Sequence, residues 1–279
     1  MLAVIRLDLS INADSCNIVQ YRALTLEDEQ APMLTTARKA FLIERLAREG
    51  SLTVTPLAAE LNVSEDTLRR DLRDLASEGL LVRVHGGAVQ ASPTHRPVAA
   101  RQALHAAEKQ KLARAAAELI ESDSVVIVDG GTTHLYLAAA VPPGRSFTLV
   151  THSPAVACSF EHHDNVEIIL IGGRIFRHSM VALGSETAQA FARIRADLCL
   201  LGVTGVHGEL GLTTGDAEEA ALKRAMAGAA AETVVAATPD KIGRANPWGV
   251  LTLNDIATLI TVQDRPDWLP ERVTHIAAA

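Results

Sequence analysis

Between Thr36 and Glu49 the apolar side chains of Ala40, Ile43, Leu46 and Ala47 recur at helical spacing, which predicts a helix that Gly50 stops. Ser51 to Val54 reads as a short extended piece. Thr55 and Pro56 then supply an N-cap and a proline at the first helical position of a second helix ending at Leu61. After a tight turn at Asn62-Val63, Ser64 caps a third helix. Glu65 and Asp66 fall in its first turn, where acidic groups meet the positive end of the helix dipole. This helix runs to Glu78, and Gly79 ends it. Apolar runs at Leu80–Val84 and Ala88-Val89 flank His85-Gly86-Gly87, the pattern of a β-hairpin. Helix, short strand, helix, turn, helix, hairpin is the order of a winged helix-turn-helix.

Farther along, the alternation changes scale. Apolar runs stand at Val125–Val128, Phe147–Val150, Val166–Ile171, Leu198–Leu201, Thr233–Ala237 and Thr258–Val262. Alanine-rich helical stretches separate most of them, at 106–120, 133–140, 153–160, 185–193 and 216–231. Short, fully apolar strands alternating with helices predict an α/β domain with a parallel sheet covered on both faces. The ligand crevice of such a sheet opens at the carboxyl ends of its strands. Four regions follow: residues 1–32, a disordered or mis-called extension with Met33 as the true start; 33–90, the winged helix-turn-helix; 91–104, a linker with the proline and polarity of ASPTHRPVAARQ; and 105–279, an α/β domain.

Composition narrows the class. The 279 residues are 48% hydrophobic and only 3% aromatic, which suits a helix-rich α/β chain and excludes a fibrous one. No run approaches the ~18 apolar residues of a membrane span, and Asp8 interrupts the stretch where a signal peptide would be apolar, so no membrane partner is expected. Cys16, Cys158 and Cys199 form no metal or redox spacing; they fit a reducing cytoplasm, and Cys199 in its apolar run reads as a small core residue. The net charge of −7 argues against non-specific coating of nucleic acid but leaves room for a locally basic face.

Such a face is visible in TLRRDLRDLASEGLLVRVHGG, residues 67–87. Arg69, Arg70 and Arg73 share one side of the third helix with Asp66, whereas Leu68, Leu72 and Leu75 share another. A three-arginine face after a tight turn suits a DNA major groove, since arginine grips guanine or phosphate bidentately; a solvated amphipathic helix is the plainer alternative. Asp71 and Asp74 would either orient the arginines or pair with the first helix. The string Ser64-x-x-Thr67-Leu68-Arg69-Arg70-Asp71-Leu72, followed by Gly79-Leu80-Leu81-x-Arg83-x-His85-Gly86-Gly87-Ala88, closely resembles the signature of the DeoR family of bacterial transcription regulators. The resemblance implies a recognition helix with Ser64, Thr67, Arg69 and Arg70 facing double-stranded operator DNA. It also implies a wing of Arg83, His85, Gly86 and Gly87, where the glycines would let backbone approach the sugar-phosphate edge.

A second constellation is VDGGTTHLYLA, residues 128–138. A strand ends at Asp129, Gly130 and Gly131 turn the chain, and Thr132 and Thr133 open a helix. Amides at such a turn bind anions, although the same pattern also serves as plain connection. Thr151-His152-Ser153, Gly172-Gly173-Arg174, Gly202-Val203-Thr204-Gly205 and Asp240-Lys241 follow later strands, so small or cationic residues gather at one sheet edge. The effector set expected there is Asp129, Gly130, Gly131, Thr132, Thr133, Thr151, His152, Ser153, Gly173, Gly202, Gly205 and Lys241. Glu218, Glu219, Lys223 and Arg224 read as pairs on one helix, with Lys223 directed into the pocket as the alternative. His162-His163 reads as a solvated loop, and no metal site, cofactor or catalytic set is expected.

From Glu108-Lys109 to about Val262 the chain also resembles the sensor domain of that family, which is similar in fold to ribose-5-phosphate isomerase and glucosamine-6-phosphate deaminase and binds phosphorylated sugars without turning them over. His152 stands where Thr-Asn-Ser is usual and Gln263 breaks the usual Ile-Thr-Asp ending. The expectation is therefore a cytoplasmic, homo-oligomeric repressor of sugar-metabolism genes, with a sugar phosphate as effector. The rival is a sugar-phosphate isomerase or deaminase carrying a DNA-binding domain, with Asp129, Asp216 or Asp240 as its base.

Overall fold

The protein is described here by a computed structural model that covers residues 34–78, 80–90 and 98–279. The expectations for residues 1–32, for Gly79 as a helix stop and for residues 91–97 of the linker lie outside the described residues.

The first domain follows the predicted order: α1 (Thr35–Glu49), β1 (Ser51–Thr53), α2 (Val54–Glu60), α3 (Glu65–Ser77), β2 (Leu81–Val84) and β3 (Gly87–Gln90). Its antiparallel sheet runs β1-β3-β2. Leu42, Leu46, Leu68 and Leu72, each no more than 1% exposed, join Leu52, Leu57 and Leu81 in its core. Two details differ from the periodicity. The buried side of α1 is Arg38, Leu42 and Leu46, not Ala40 and Ala47, because Arg38 turns inward to meet Asp71 on α3 at 2.5 Å. And α2 is capped at Thr53, so Pro56 occupies its third position, where a missing N–H still costs no helical bond.

The second domain begins with α4 (Val98–Ala103) and α5 (Ala106–Ala117); α4 occupies sequence that had offered only linker composition. It continues through β4 (Ser124–Val128), a 3₁₀ turn at His134–Tyr136, α6 (Leu137–Ala140), β5 (Phe147–Thr151), α7 (Pro154–Ser159) and β6 (Val166–Leu170). Then come β7 (Arg174–Phe176), β8 (Val181–Leu183), α8 (Ser185–Ala192), β9 (Ala196–Leu201), β10 (Gly205–His207), β11 (Gly211–Thr214) and α9 (Ala217–Gly228). β12 (Ala230–Ala236), β13 (Trp248–Leu251), β14 (Thr258–Thr261) and β15 (Thr274–Ala277) complete it.

Seven strands form a parallel sheet ordered β15-β14-β12-β9-β4-β5-β6. Alternate residues of each strand feed opposite faces: Ile127, Cys199, Leu201 and Val235 enter one core, Val126, Val128, Leu200 and Val234 the other. The apolar runs lacked a period of two for this reason. From β4 the chain builds outward to β6 and returns to build the other half from β9, so the strand order reverses between β4 and β9. A crevice forms at the carboxyl ends of strands flanking such a reversal. Over it lie two additions that the runs did not predict, the hairpin β7–β8 and the antiparallel sheet β10-β11-β13. Among the described residues no helix is long and apolar enough to cross a membrane.

Candidate functional site

The first polar surface is built on α3. Ser64 caps it, its hydroxyl accepting from the Thr67 amide at 3.1 Å and lying 2.9 Å from the Thr67 hydroxyl. Asp71 and Asp74 take the second of their two alternatives: they pair with Arg38 and Lys39 of α1, at 2.5 and 2.7 Å. Arg69 leans back on Glu65 at 2.7 Å. Arg70 and Arg73 stay exposed, and among the described residues no carboxylate lies within 4.0 Å of either. Arg83, His85 and Gly86 are exposed on the wing, and Gly86 takes φ +78° at its turn. Gly87 is different. It is buried, and a Cβ there would sit 1.8 Å from the Leu52 carbonyl, so the close approach it permits is between β3 and β1.

The second surface is a cavity of about 200 Å³ at the β4/β9 reversal. Asp129 forms its floor at 2% exposure. Its carboxylate accepts four hydrogen bonds: Oδ1 from the Gly130 amide (2.7 Å) and His152 Nε2 (2.9 Å), Oδ2 from the Gly202 amide (2.8 Å) and Lys223 Nζ (2.5 Å). Burial alone would raise the pKa of this carboxyl, but the Lys223 ammonium and the His152 hydrogen bond outweigh it and hold the group well below the carboxylate range. Burial would likewise lower Lys223, and the Asp129 and Glu219 carboxylates reverse that and raise it. At Gly130 a Cβ would meet Val181 at 2.1 Å, which is why only glycine lets the turn pass under β8.

Above this floor the lining turns toward hydrogen-bond donors without acceptors. Among the described residues the amides of Gly131, Thr132 and Thr133 have no protein acceptor, and the Thr133 hydroxyl is buried without a partner. His134 donates from Nδ1 to the Asp129 carbonyl at 2.6 Å, and burial lowers its pKa, so the neutral ring keeps Nε2 as an acceptor. Lys241, on the 3₁₀ turn after β12, is pushed down by burial to about 8. No carboxylate among the described residues lies within 4.0 Å of it. Two further carboxylates line the cavity: Asp216 caps α9 through Oδ1, and Glu219 accepts from the hydroxyls of Ser179 (2.9 Å) and Thr214 (3.2 Å).

Of the residues expected to hold an effector, Asp129, Gly130, Gly131, Thr132, Thr133, Gly202 and Lys241 line the cavity. Thr151, His152, Ser153, Gly173 and Gly205 lie outside its lining. His152 buttresses Asp129 from behind, its Nδ1 lying 2.7 Å from the Ala182 carbonyl. Thr151 holds the Val128 carbonyl at 2.6 Å, and Ser153 caps α7.

Comparison with known proteins bears on both surfaces. A profile described as the DeoR C terminal sensor domain matches residues 104–263, and one described as a DeoR-like helix-turn-helix domain matches residues 38–94. The chain belongs to the DeoR family of transcription regulators. Among curated DeoR-family relatives, the transcriptional regulator GlpR of Haloferax volcanii is 33% identical over 82% of this chain and 90% of its own length. The glycerol-3-phosphate regulon repressor of Escherichia coli is 30% identical over 76% of this chain and 84% of its own. A putative aga operon transcriptional repressor of Escherichia coli O157:H7 is 31% identical, covering 83% and 88%. Among solved structures, ribose 5-phosphate isomerase A of Methanocaldococcus jannaschii covers 48% of this chain and 53% of its own at 15% identity, with a TM-score of 0.34, too slight to carry an argument.

This DeoR-family regulator also brings to its cavity residues that pattern reading did not assign. Lys223 is one: the sequence offered pairing along its own helix or a place in the pocket, and the ammonium lies in the pocket on Asp129. Arg101, His134, Ser179 and Glu219 are among the others. The signal for His134 was its place in GGTTH. Arg101 gave none, since it lies in sequence with the composition of a linker.

Proposed function

We propose that the cavity takes a phosphorylated sugar, and that its occupancy changes the affinity of the recognition helices for operator DNA. The observation that carries this reading is the set of unpaired donors over a saturated floor. Among the described residues the amides of Gly131 to Thr133 and the Lys241 ammonium have no acceptor, an arrangement suited to an anion with several oxygens. His134, Thr132 and Asp216 add the mixed donors and acceptors that sugar hydroxyls need. One of the relatives fits this reading by name, a glycerol-3-phosphate regulon repressor. On this reading the protein is a cytoplasmic repressor of sugar-metabolism genes that reads two half-sites as a homo-oligomer. Ser64, Thr67, Arg69, Arg70 and Arg73 face the groove, and Arg83 and His85 meet the backbone beside it.

The rival enzyme needs a proton acceptor. Asp129 is a poor one, because four donors fill its lone pairs and its pKa is held well below the carboxylate range. The test is a thermal-shift panel of glycerol 3-phosphate, pentose 5-phosphates and hexose 1- and 6-phosphates beside the free sugars, with a turnover assay on the same compounds. Stabilisation by one or a few phosphorylated members without turnover is expected. Stabilisation by free sugars alone would refute the phosphate reading, and turnover would establish the enzyme.

A further inference from the structure

Arg101 is the one cavity-lining residue that comes from α4, the first described element after the DNA-binding domain. Among the described residues its Nε is buried without a hydrogen-bond partner, and Nη2 reaches only the His178 carbonyl at 3.4 Å. Among the described residues it makes no ion pair; Glu219 attracts it from a distance, but both oxygens of Glu219 already accept from hydroxyls. Burial lowers its pKa and that of Lys241, and the charge of Arg101 lowers Lys241 further. Both cations face one cavity, and among the described residues neither has a carboxylate within 4.0 Å, which leaves both open to an anionic ligand, since buried charges are otherwise paired.

The attachment of α4 gives this a consequence. The carbonyls of Arg101 and Leu104 at its end both accept from Lys109 Nζ, and Lys109 is only 4% exposed. Lys109 sits on α5, whose Leu112, Ala113 and Ala116 are buried in the sensor core. The guanidinium that faces the cavity and the peptide that anchors the helix therefore belong to the same residue.

We propose that Arg101 is an effector ligand supplied by the linker helix: it grips the phosphomonoester dianion opposite Lys241, so that α4 reports occupancy to the DNA-binding domain. This rests on the reading of the cavity as a sugar-phosphate site. Guanidinium and phosphate match bidentately, and the dianion neutralises both cations at once.

The experiment uses the full chain with Arg101→Met, which keeps the apolar stem, and Arg101→Lys, which keeps the charge without the fork. Calorimetric titration uses whichever phosphorylated sugar of the panel stabilises the wild type most. Operator affinity is measured with and without saturating ligand, on a duplex selected by the wild-type protein. The expected result is at least a tenfold loss of ligand affinity in Arg101→Met, a smaller loss in Arg101→Lys, and a ligand effect on operator affinity that shrinks toward none in Arg101→Met. Wild-type ligand affinity in Arg101→Met would overturn the inference while leaving the sugar-phosphate reading intact. Weakened binding that still changes operator affinity by the wild-type factor at saturation would overturn the coupling through α4. A wild-type protein that no phosphorylated member stabilises would overturn both readings together.

Discussion

Replacing Asp129 by Asn tests whether the cavity floor is a structural device. All four groups around the carboxylate are donors, the Gly130 and Gly202 amides, His152 Nε2 and Lys223 Nζ. An amide oxygen serves two of them, and the new NH₂ turns its hydrogens toward the other two. Lys223, with its side chain 8% exposed, also loses its directly bonded counter-charge. Breaking a buried ion pair by removing one partner costs about 3–5 kcal/mol. A domain of this size loses about 2–4 °C of melting temperature per kcal/mol, so Asp129→Asn should melt roughly 6–20 °C below the wild type.

Both tryptophans, Trp248 and Trp268, lie in the second domain, so their fluorescence reports its unfolding. The double variant Asp129→Asn with Lys223→Met should recover part of the loss, because the stranded charge is gone; a coupling of at least ~1 kcal/mol is expected. The pH dependence has a defined sign. The pKa of Asp129 is lowered on folding, so its contribution is present above the unfolded value of about 3.9 and is lost as pH falls toward the folded value. The gap between wild type and variant should narrow on acidification below pH ~5. A variant melting within ~2 °C of the wild type at pH 7 would refute the reasoning, since it would mean the four donors find other partners at no cost.

Arg70→Ala should weaken operator binding by about 1–3 kcal/mol in a gel-shift titration. Asp71→Ala, one residue on, should instead melt the winged helix several degrees lower, by calorimetry, because it removes the carboxylate that pairs with Arg38, whose side chain is 6% exposed. Equal effects of the two on DNA binding would undo the division of α3 into two faces. Lys241 is pushed down by burial to about 8, with Asp240 raising it and Arg101, Lys109 and Lys223 lowering it further. Its ammonium is present below that value and lost above, so phosphate-ester affinity should fall about tenfold between pH 7 and 9, and titrations showing no fall would remove Lys241 from the site. Gly131→Val has room for its Cβ, whose nearest neighbour would be His134 Nδ1 at 3.4 Å. It should lower ligand affinity at least tenfold with little change in melting temperature; undiminished affinity would move the ligand elsewhere in the cavity.

Most of the framework was legible because its determinants are local. Ser64 caps α3 where the capping rule places it, and the six apolar runs are six of the seven strands of the parallel sheet. What was hidden depends on partners far apart in the chain. Asp71 had two possible roles until Arg38, 33 residues earlier, turned inward. Asp129 and Lys223 are 94 residues apart, and helix periodicity gave Lys223 neighbours on its own helix. The strands β10, β11 and β13 are three or four residues each, too short to stand out as runs, and they are joined by long-range antiparallel pairing.

The same distinction explains why the glycines misled in part. A glycine after a strand signals that backbone must come close to something, and sequence alone does not say to what. At Gly131 the neighbouring space is the cavity. At Gly205 it is the Arg244 carbonyl, 2.6 Å from where a Cβ would stand, and at Gly173 it is the Thr187 hydroxyl at 2.3 Å. The residues that decide the chemistry of the site are those whose burial is costly without a ligand: the unpaired donors of the β4–α6 turn, Lys241, and an arginine reaching in from the linker. Burial of charge is a property of the assembled sheet, and it becomes visible only when β4 and β9 lie side by side.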